Sequence, residues 1–446
     1  MTNRIPNWYR SPGSRLVPML LGMLACGISS CDFSGLGEAD SRSHGFMTRI
    51  HTDPSGERKR YVIFVPRDHE GRKLPVILFL NGQGENGDDG LRQICNNFGV
   101  DIWRKRDQLP FLAVCPQCSR NESWDPAGPN GRRAMAILDE VMQEFDADPD
   151  RVYLTGVSAG GSGVWRMAAA HPERFAAIVP ISATGSPGAA QVAAETRLPV
   201  WGFYNGKDSR GVVEAGRAAR TILIEAGLSP LMTEYDQLGH NAWHSYDNPF
   251  LYEWLLEQRR SDNAERPPFV LRRPKEIVAT WEQRGSGTWR VHQTKEVMGI
   301  SANADDRAML LCPDAFEAGE IHLDVHLAED RASRLVFLSE KQERLAELVV
   351  SMPTVGFGGL QLERRDNRSF DPVGQRALRP GWNDIRISRR NGRLSILLSG
   401  WRSLEMEDPF ANRPVQWGLV AAPGKSGSRW RYVRGISRSL TTEESG

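Results

Sequence analysis

Ser158 lies in Gly156-Val157-Ser158-Ala159-Gly160, directly after the apolar run Arg151–Leu154 and before the helical pattern Val164–Ala170. A serine between two small residues, at a strand-to-helix turn, is the G-x-S-x-G elbow that exposes a nucleophilic hydroxyl. Glycines give the backbone room at that turn. The N-terminus of the following helix favours the negative charge that develops beside it. Such a serine needs a base, and the base needs an acid to orient it. In this arrangement the chain order is serine, acid, histidine. Within the first half, three histidines follow Ser158: His171, His240 and His244. His171, in His171-Pro172-Glu173-Arg174-Phe175, sits where a helix-capping residue belongs. His240 stands in a loop between a strand-like run and the last helix, where the base belongs, with His244 as its understudy. Asp208 follows the strand Pro199–Tyr204 in the turn Asn205-Gly206-Lys207-Asp208 and is read as the acid, with Glu234 and Asp236 as alternatives. The oxyanion donors are expected to be the backbone amides of Ala159 and of Gln83, in the loop Asn81-Gly82-Gln83-Gly84. Trp124, Tyr204 and Trp243 are on segments that could wall an acyl or alcohol pocket, or else pack.

The elements that must position these groups read as an α/β domain over residues 46–258. Continuous apolar strands, Tyr61–Pro66, Leu74–Leu80, Phe111–Cys115 and Ala176–Ile181, alternate with helical patterns at Ala134–Phe145, Val213–Ala226 and Phe250–Glu257. Strands of that kind belong to a mostly parallel sheet covered by helices on both faces. Residues 259–268, ending in Pro-Pro, suggest a linker. Beyond it, over 269–439, short alternating runs take over: Thr288–Gln293, Glu320–Leu327, Arg334–Leu338, Asp384–Ser388, Leu394–Leu398 and Gln416–Ala421. They predict an all-β sandwich.

The N-terminus reads as an address. Arg4, Arg10 and Arg15 precede the apolar run Leu16 to Ile28, which is shorter than the roughly 20 residues of a spanning helix. Ile28-Ser29-Ser30-Cys31 resembles a bacterial lipobox, which implies removal of residues 1–30 and a lipid on Cys31. Met23-Leu24-Ala25-Cys26 is a weaker competitor. Residues 31–45 are polar and Gly/Ser-rich, as a flexible tether is. Export permits disulfides, and Cys95, Cys115, Cys118 and Cys312 allow three pairings. Cys115-Pro116-Gln117-Cys118 has redox-motif spacing without a thioredoxin-like context.

Composition narrows the rest. The 446 residues are 40% hydrophobic and 25% charged, which excludes a disordered or fibrous chain. With 56 Lys+Arg against 55 Asp+Glu there is no basic field for nucleic acid. No phosphate-loop or other cofactor motif is present. Thirteen Trp residues can fill cores or present flat ligand surfaces.

Taken together, Leu80–Glu85, Cys115-Pro116-Gln117, Gly156–Gly161, His171–Phe175, Asn205–Asp208 and Gly239-His240-Asn241-Ala242-Trp243 resemble the α/β-hydrolase superfamily, in particular polyhydroxybutyrate-depolymerase-like and phospholipase/carboxylesterase-like bacterial esterases. The resemblance implies Ser158 as nucleophile, Asp208 as acid and His240 as base. One departure is Asn81-Gly82, where the family usually has His-Gly. The second half resembles concanavalin-like (3-keto-disaccharide-hydrolase-like) jelly-roll sandwiches through Gly381–Ile387, Asn391–Leu394, Leu398-Ser399-Gly400 and Trp417-Gly418-Leu419. That resemblance implies carbohydrate contact. Period 2 puts His322, Asp324 and His326 on one strand face, either solvated or able to hold a metal. The function expected is an exported serine carboxylesterase, with ester groups on a polysaccharide as candidate substrates. A surface carbohydrate-binding lipoprotein with a degenerate hydrolase half and a serine peptidase are the alternatives.

Overall fold

Strands buried on both faces must be apolar at nearly every position, and four segments of the first half meet that condition. In the computed structural model, β3 (Val76–Leu80), β4 (Leu112–Pro116), β5 (Val152–Val157) and β6 (Ala177–Ile181) are buried throughout. They form the centre of an eight-stranded sheet completed by β1 (Gly45–Thr52), β2 (Arg58–Val65), β7 (Trp201–Lys207) and β8 (Leu231–Leu238). The strand order is β1-β2-β4-β3-β5-β6-β7-β8. The first two strands pair antiparallel, β2 pairs antiparallel with β4, and the remainder is parallel. The structure describes residues 44–438 apart from positions 96, 267, 286, 294–297, 305–307, 317, 328–331, 352–358, 365–367, 372–380, 400, 411–412 and 422–423. The expected leader 1–30, the lipidation site Cys31, its competitor Cys26 and nearly all of the tether 31–45 lie outside the described residues. Among the described residues no helix is long and apolar enough to cross a membrane.

Side chains leave a strand alternately, so the sheet builds two cores. Leu78 and Leu154 meet α2 (Pro129–Glu144), α3 (Ala159–Ala170), α4 (Pro187–Glu195) and α5 (Arg210–Glu225). Ile77 and Tyr153 meet α1 (Asn97–Lys105) and α6 (Pro249–Leu256) on the other face. The expected linker is instead part of this unit. Arg260–Glu265 forms α7, and the Ser261 amide and hydroxyl both bond to the Asp150 carboxylate at 2.7 Å. Its charged residues lie on the outer side, while Asn263 is buried and reaches the Ala176 carbonyl at 3.5 Å.

The second half is two antiparallel sheets. One runs Glu282–Arg284, Ala308–Phe316, Val415–Ala421, Ala332–Leu338, Arg344–Ser351, Gly359–Arg364, Arg368–Asp371. The other runs Gly287–Gln293, Met298–Ala304, Gly424–Arg438, Ala318–Leu327, Gly381–Arg390, Arg393–Leu398, Trp401–Glu407, with Val270–Leu271 added at Gly424–Arg438. Leu310, Leu335 and Leu348 from the first share one core with Leu323, Ile385 and Ile396 from the second, which makes the half a sandwich.

The strand face bearing His322 and Asp324 is neither solvated nor a metal site, because the first half covers it. His322 Nδ1 meets Ser229 Oγ, and its Nε2 lies 2.8 Å from Glu320 Oε2. Asp324 pairs with Arg220 of α5. His326 packs edge-on against Trp382. Among the described residues no group of His, Cys, Asp and Glu could hold a metal. Cys95, Cys115, Cys118 and Cys312 are free thiols, so none of the three permitted pairings forms. Burial pushes the Cys118 thiol up to about 12 and Cys115 further. Both are 1% exposed, and buried cysteines of this kind usually serve packing rather than redox chemistry.

Candidate active site

β5 runs directly into a strained turn. Ser158 adopts φ 56°, ψ −115°, and its amide donates to the Ile181 carbonyl at 2.8 Å. The turn closes because Gly160 has no side chain: a Cβ there would lie 2.0 Å from the Leu80 carbonyl oxygen. α3 starts at Ala159, so Ser158 stands at a helix N-terminus.

Asp208 follows β7. Its amide donates to the Asn205 carbonyl at 3.1 Å, and its side chain is 1% exposed. His240 follows β8 in a turn made by Gly239 at φ 75°. Asn205 Nδ2 holds that turn by donating to the Gly239 carbonyl at 3.0 Å. Three strand ends thereby bring three distant residues together. His240 Nδ1 lies 2.8 Å from Asp208 Oδ2 and 3.0 Å from Oδ1, and His240 Nε2 lies 2.7 Å from Ser158 Oγ. The one consistent tautomer has Nδ1–H donating to the carboxylate and Nε2 accepting the serine hydroxyl proton. The ring is 45% exposed, so a substrate can reach it.

The other residues weighed for these roles are engaged elsewhere. Glu234 accepts from Tyr204 at 3.0 Å and pairs with Arg217 at 2.9 Å. The Asp236 side chain is outside the described residues. His171 caps α3 at the end away from Ser158. His244 packs against Tyr235 with its Nδ1 3.0 Å from the Asn241 carbonyl, and burial lowers its pKa.

The loop after β3 lies against the elbow. Gln83 opens a short 3-10 turn, Gln83–Glu85, and Ala159 opens α3, so both amides stand where no intrahelical acceptor exists. Asn81 braces this loop. It is fully buried, donates to Gly82 O at 2.7 Å and Asn86 Oδ1 at 2.9 Å, and accepts from the Cys118 amide at 3.0 Å. The departure at Asn81 is therefore a satisfied structural position rather than a broken one.

Two of the three candidate pocket residues are corrected. Trp124 is 1% exposed, donates to Asn81 O at 2.9 Å and packs over Gly163; it supports the oxyanion loop from behind. Tyr204 is 4% exposed and packs against Gly216. A large aromatic beside a motif most often fills core, and here both do. Trp243 is partly exposed, with its ring edge-on to His240 at 6.3 Å between centroids. Sequence reasoning missed Asn205 as the brace of the histidine turn; its place two residues before Lys207-Asp208, at a buried strand end, was the available signal.

The sheet order, an elbow serine after β5, an acid after β7 and a histidine after β8 decide the fold of this half. The first half has the α/β-hydrolase fold. No protein-family profile matches the chain. NocK of Nocardia uniformis subsp. tsuyamanensis, named as an esterase, is 27% identical over 165 residues, 36% of this chain and 44% of NocK. Dipeptidyl-peptidase 5 of Porphyromonas gingivalis is 27% identical over 137 residues, 29% of this chain and 20% of that protein. The chain thus spans less than half the length of either curated relative. Among solved structures, a thermostable esterase is 31% identical, with 48% of this chain and 63% of that chain covered and a TM-score of 0.45. By sequence the chain is thus similar to a protein named as an esterase and to one named as a peptidase.

Proposed function

We propose that the hydrolase half is a serine carboxylesterase. The observation that carries this reading is the unbroken chain Asp208–His240–Ser158, at 2.8 and 2.7 Å, beside two amides with no helical acceptor. His240 Nε2 takes the proton from Ser158 Oγ as Oγ bonds to the ester carbon. The carbonyl oxygen becomes an oxyanion against the amides of Gln83 and Ala159; one such donor is typically worth about 10²–10³ in turnover. Asp208 stabilises the imidazolium and keeps its tautomer. The ester C–O bond then breaks, and His240 returns the proton to the departing alcohol. Water repeats the sequence: His240 takes its proton, hydroxide adds to the acyl carbon, and the Ser158–acyl bond breaks as His240 returns the proton to Ser158 Oγ, which releases the acid and restores the free serine. Trp243 stands beside the reacting groups and is our candidate for the pocket wall.

The finer reading is an enzyme exported to the cell envelope and held by a lipid on Cys31, acting on acyl groups attached to polysaccharide. Its supports are the basic, short-apolar, lipobox-like N-terminus and the likeness of the sandwich to concanavalin-like jelly rolls. An intact triad speaks against a purely binding protein.

The likeness to a dipeptidyl-peptidase makes an amide substrate the second reading. The full chain is expected to hydrolyse p-nitrophenyl acetate and butyrate with kcat/KM at least about 100-fold above that for dipeptidyl p-nitroanilides, about 3 kcal/mol in barrier. A p-nitroanilide preference would establish the peptidase instead.

A further inference from the structure

Catalysis occupies the C-terminal ends of β5, β7 and β8. At the opposite end of β7 and β8, where Trp201 and Leu231 begin them, the two halves enclose a cleft of about 840 Å³. That lies within the range of ligand sites, about 300–1,000 Å³. The seven residues of β7 separate it from Asp208 by about 20 Å.

Its lining is unusual in two ways. Arg197 and Arg266 face it from the hydrolase half, and among the described residues neither guanidinium makes an ion pair or donates a hydrogen bond. Their Nε–H groups are buried without an acceptor. Burial, together with the charges of Arg390 and Arg197, pushes the Arg266 guanidinium down against the pull of Asp262 and Glu320. Both side chains are half-buried, and a buried N–H donor without an acceptor is costly unless a ligand acceptor meets it. The second feature is the backbone of Arg197. It ends α4 at φ 54°, with its amide bonded to Ala194 O at 3.1 Å and the Leu198 amide to Ala193 O at 2.9 Å. This is the Schellman position that glycine usually fills, so the fold keeps an arginine where glycine would relieve strain.

The remaining wall is mixed. Trp254 and Phe269 present partly exposed rings, and Glu253, Glu257 and Asp262 contribute carboxylate oxygens. Arg390 reaches the cleft from the sandwich while bonding to Glu320. Guanidiniums suit a ligand carboxylate, carboxylate walls suit hydroxyl donors, and flat rings suit a sugar face.

We propose that this cleft binds an acidic sugar chain, with Arg197 and Arg266 taking its carboxylates and the acidic wall its hydroxyls. The site stands independently of the esterase reading, because binding is measured without turnover. Calorimetric titration of the full chain at low salt with trigalacturonate should give binding that weakens as salt rises. Maltotriose, which lacks carboxylates, should bind at least about tenfold more weakly. Arg197→Gly should lose about tenfold or more in affinity for trigalacturonate while its melting temperature stays equal or rises, which separates lost recognition from lost folding. Arg266→Gln should weaken binding likewise. Absence of trigalacturonate binding, equal binding of maltotriose, or undiminished binding by Arg197→Gly would overturn the proposal. Inorganic phosphate competing with the trimer's affinity would overturn the sugar assignment.

Discussion

Replacing Ser158 by Ala is expected to lower kcat on an ester substrate by about 10⁴–10⁶-fold, with KM little changed. The reason is that His240 and Asp208 have no function without the oxygen that is 2.7 Å from Nε2. What remains is the contribution of the Gln83 and Ala159 amides and of binding. Ser158 also holds a conformation, φ 56°, that a side chain rarely adopts. Ser158→Gly should therefore be equally inactive but more stable than wild type by about 1 kcal/mol, since the strain is released. Steady-state rates and urea midpoints on the two variants check both parts. An inactive but destabilised glycine variant would contradict the idea that the elbow stores strain.

The second large effect lies between the halves. Arg220 on α5 donates from Nη1 to Asp324 at 3.0 Å and from Nη2 to Asp324 and Asp384 at 2.5 and 3.2 Å. All three side chains are less than a tenth exposed. Burial opposes the arginine's charge, but the two carboxylates outweigh it and keep the guanidinium ionised. Arg220→Met would take from the buried Asp324 carboxylate both of its guanidinium hydrogen bonds, while Asp384 keeps Arg386 Nε at 3.0 Å, so a loss of about 3–5 kcal/mol is expected in urea unfolding. Adding Asp324→Leu should recover much of it, because a buried pair replaced by apolar groups is often near neutral. The effect should reach catalysis. α5 starts two residues after Asp208, and Thr233 on β8, the strand leading to His240, accepts from Trp201 and donates to Ser399 O of the sandwich at 3.1 Å. A midpoint within error of wild type for Arg220→Met would show that the halves do not stabilise each other.

Much of this was legible in the sequence because it is local. The runs at β3, β5 and β6 are apolar on both faces, and the Gly-x-Ser-x-Gly turn requires its glycines in place, so both the sheet and the nucleophile could be read directly. The acid and base followed from their positions just past strand ends. What could not be read depends on the other half of the molecule. Arg220 looks like a solvated position on an amphipathic helix, and His322 and Asp324 look like an outward strand face, because local periodicity does not say that another domain covers them. Residues 259–268 carry linker composition, yet Asp150 captures Ser261. Trp124 and Tyr204 sit close to motif residues in sequence, but their side chains turn into the core, which sequence proximity does not encode.

The most direct test of the central claim is chemical. A fluorophosphonate probe should modify wild-type protein once per chain, with the adduct on the peptide containing Ser158 when mapped by mass spectrometry. The Ser158→Ala protein, still folded, should take up none. Labelling that persists in Ser158→Ala, or an adduct on another residue of the wild-type chain, would contradict the assignment of Ser158 as the nucleophile.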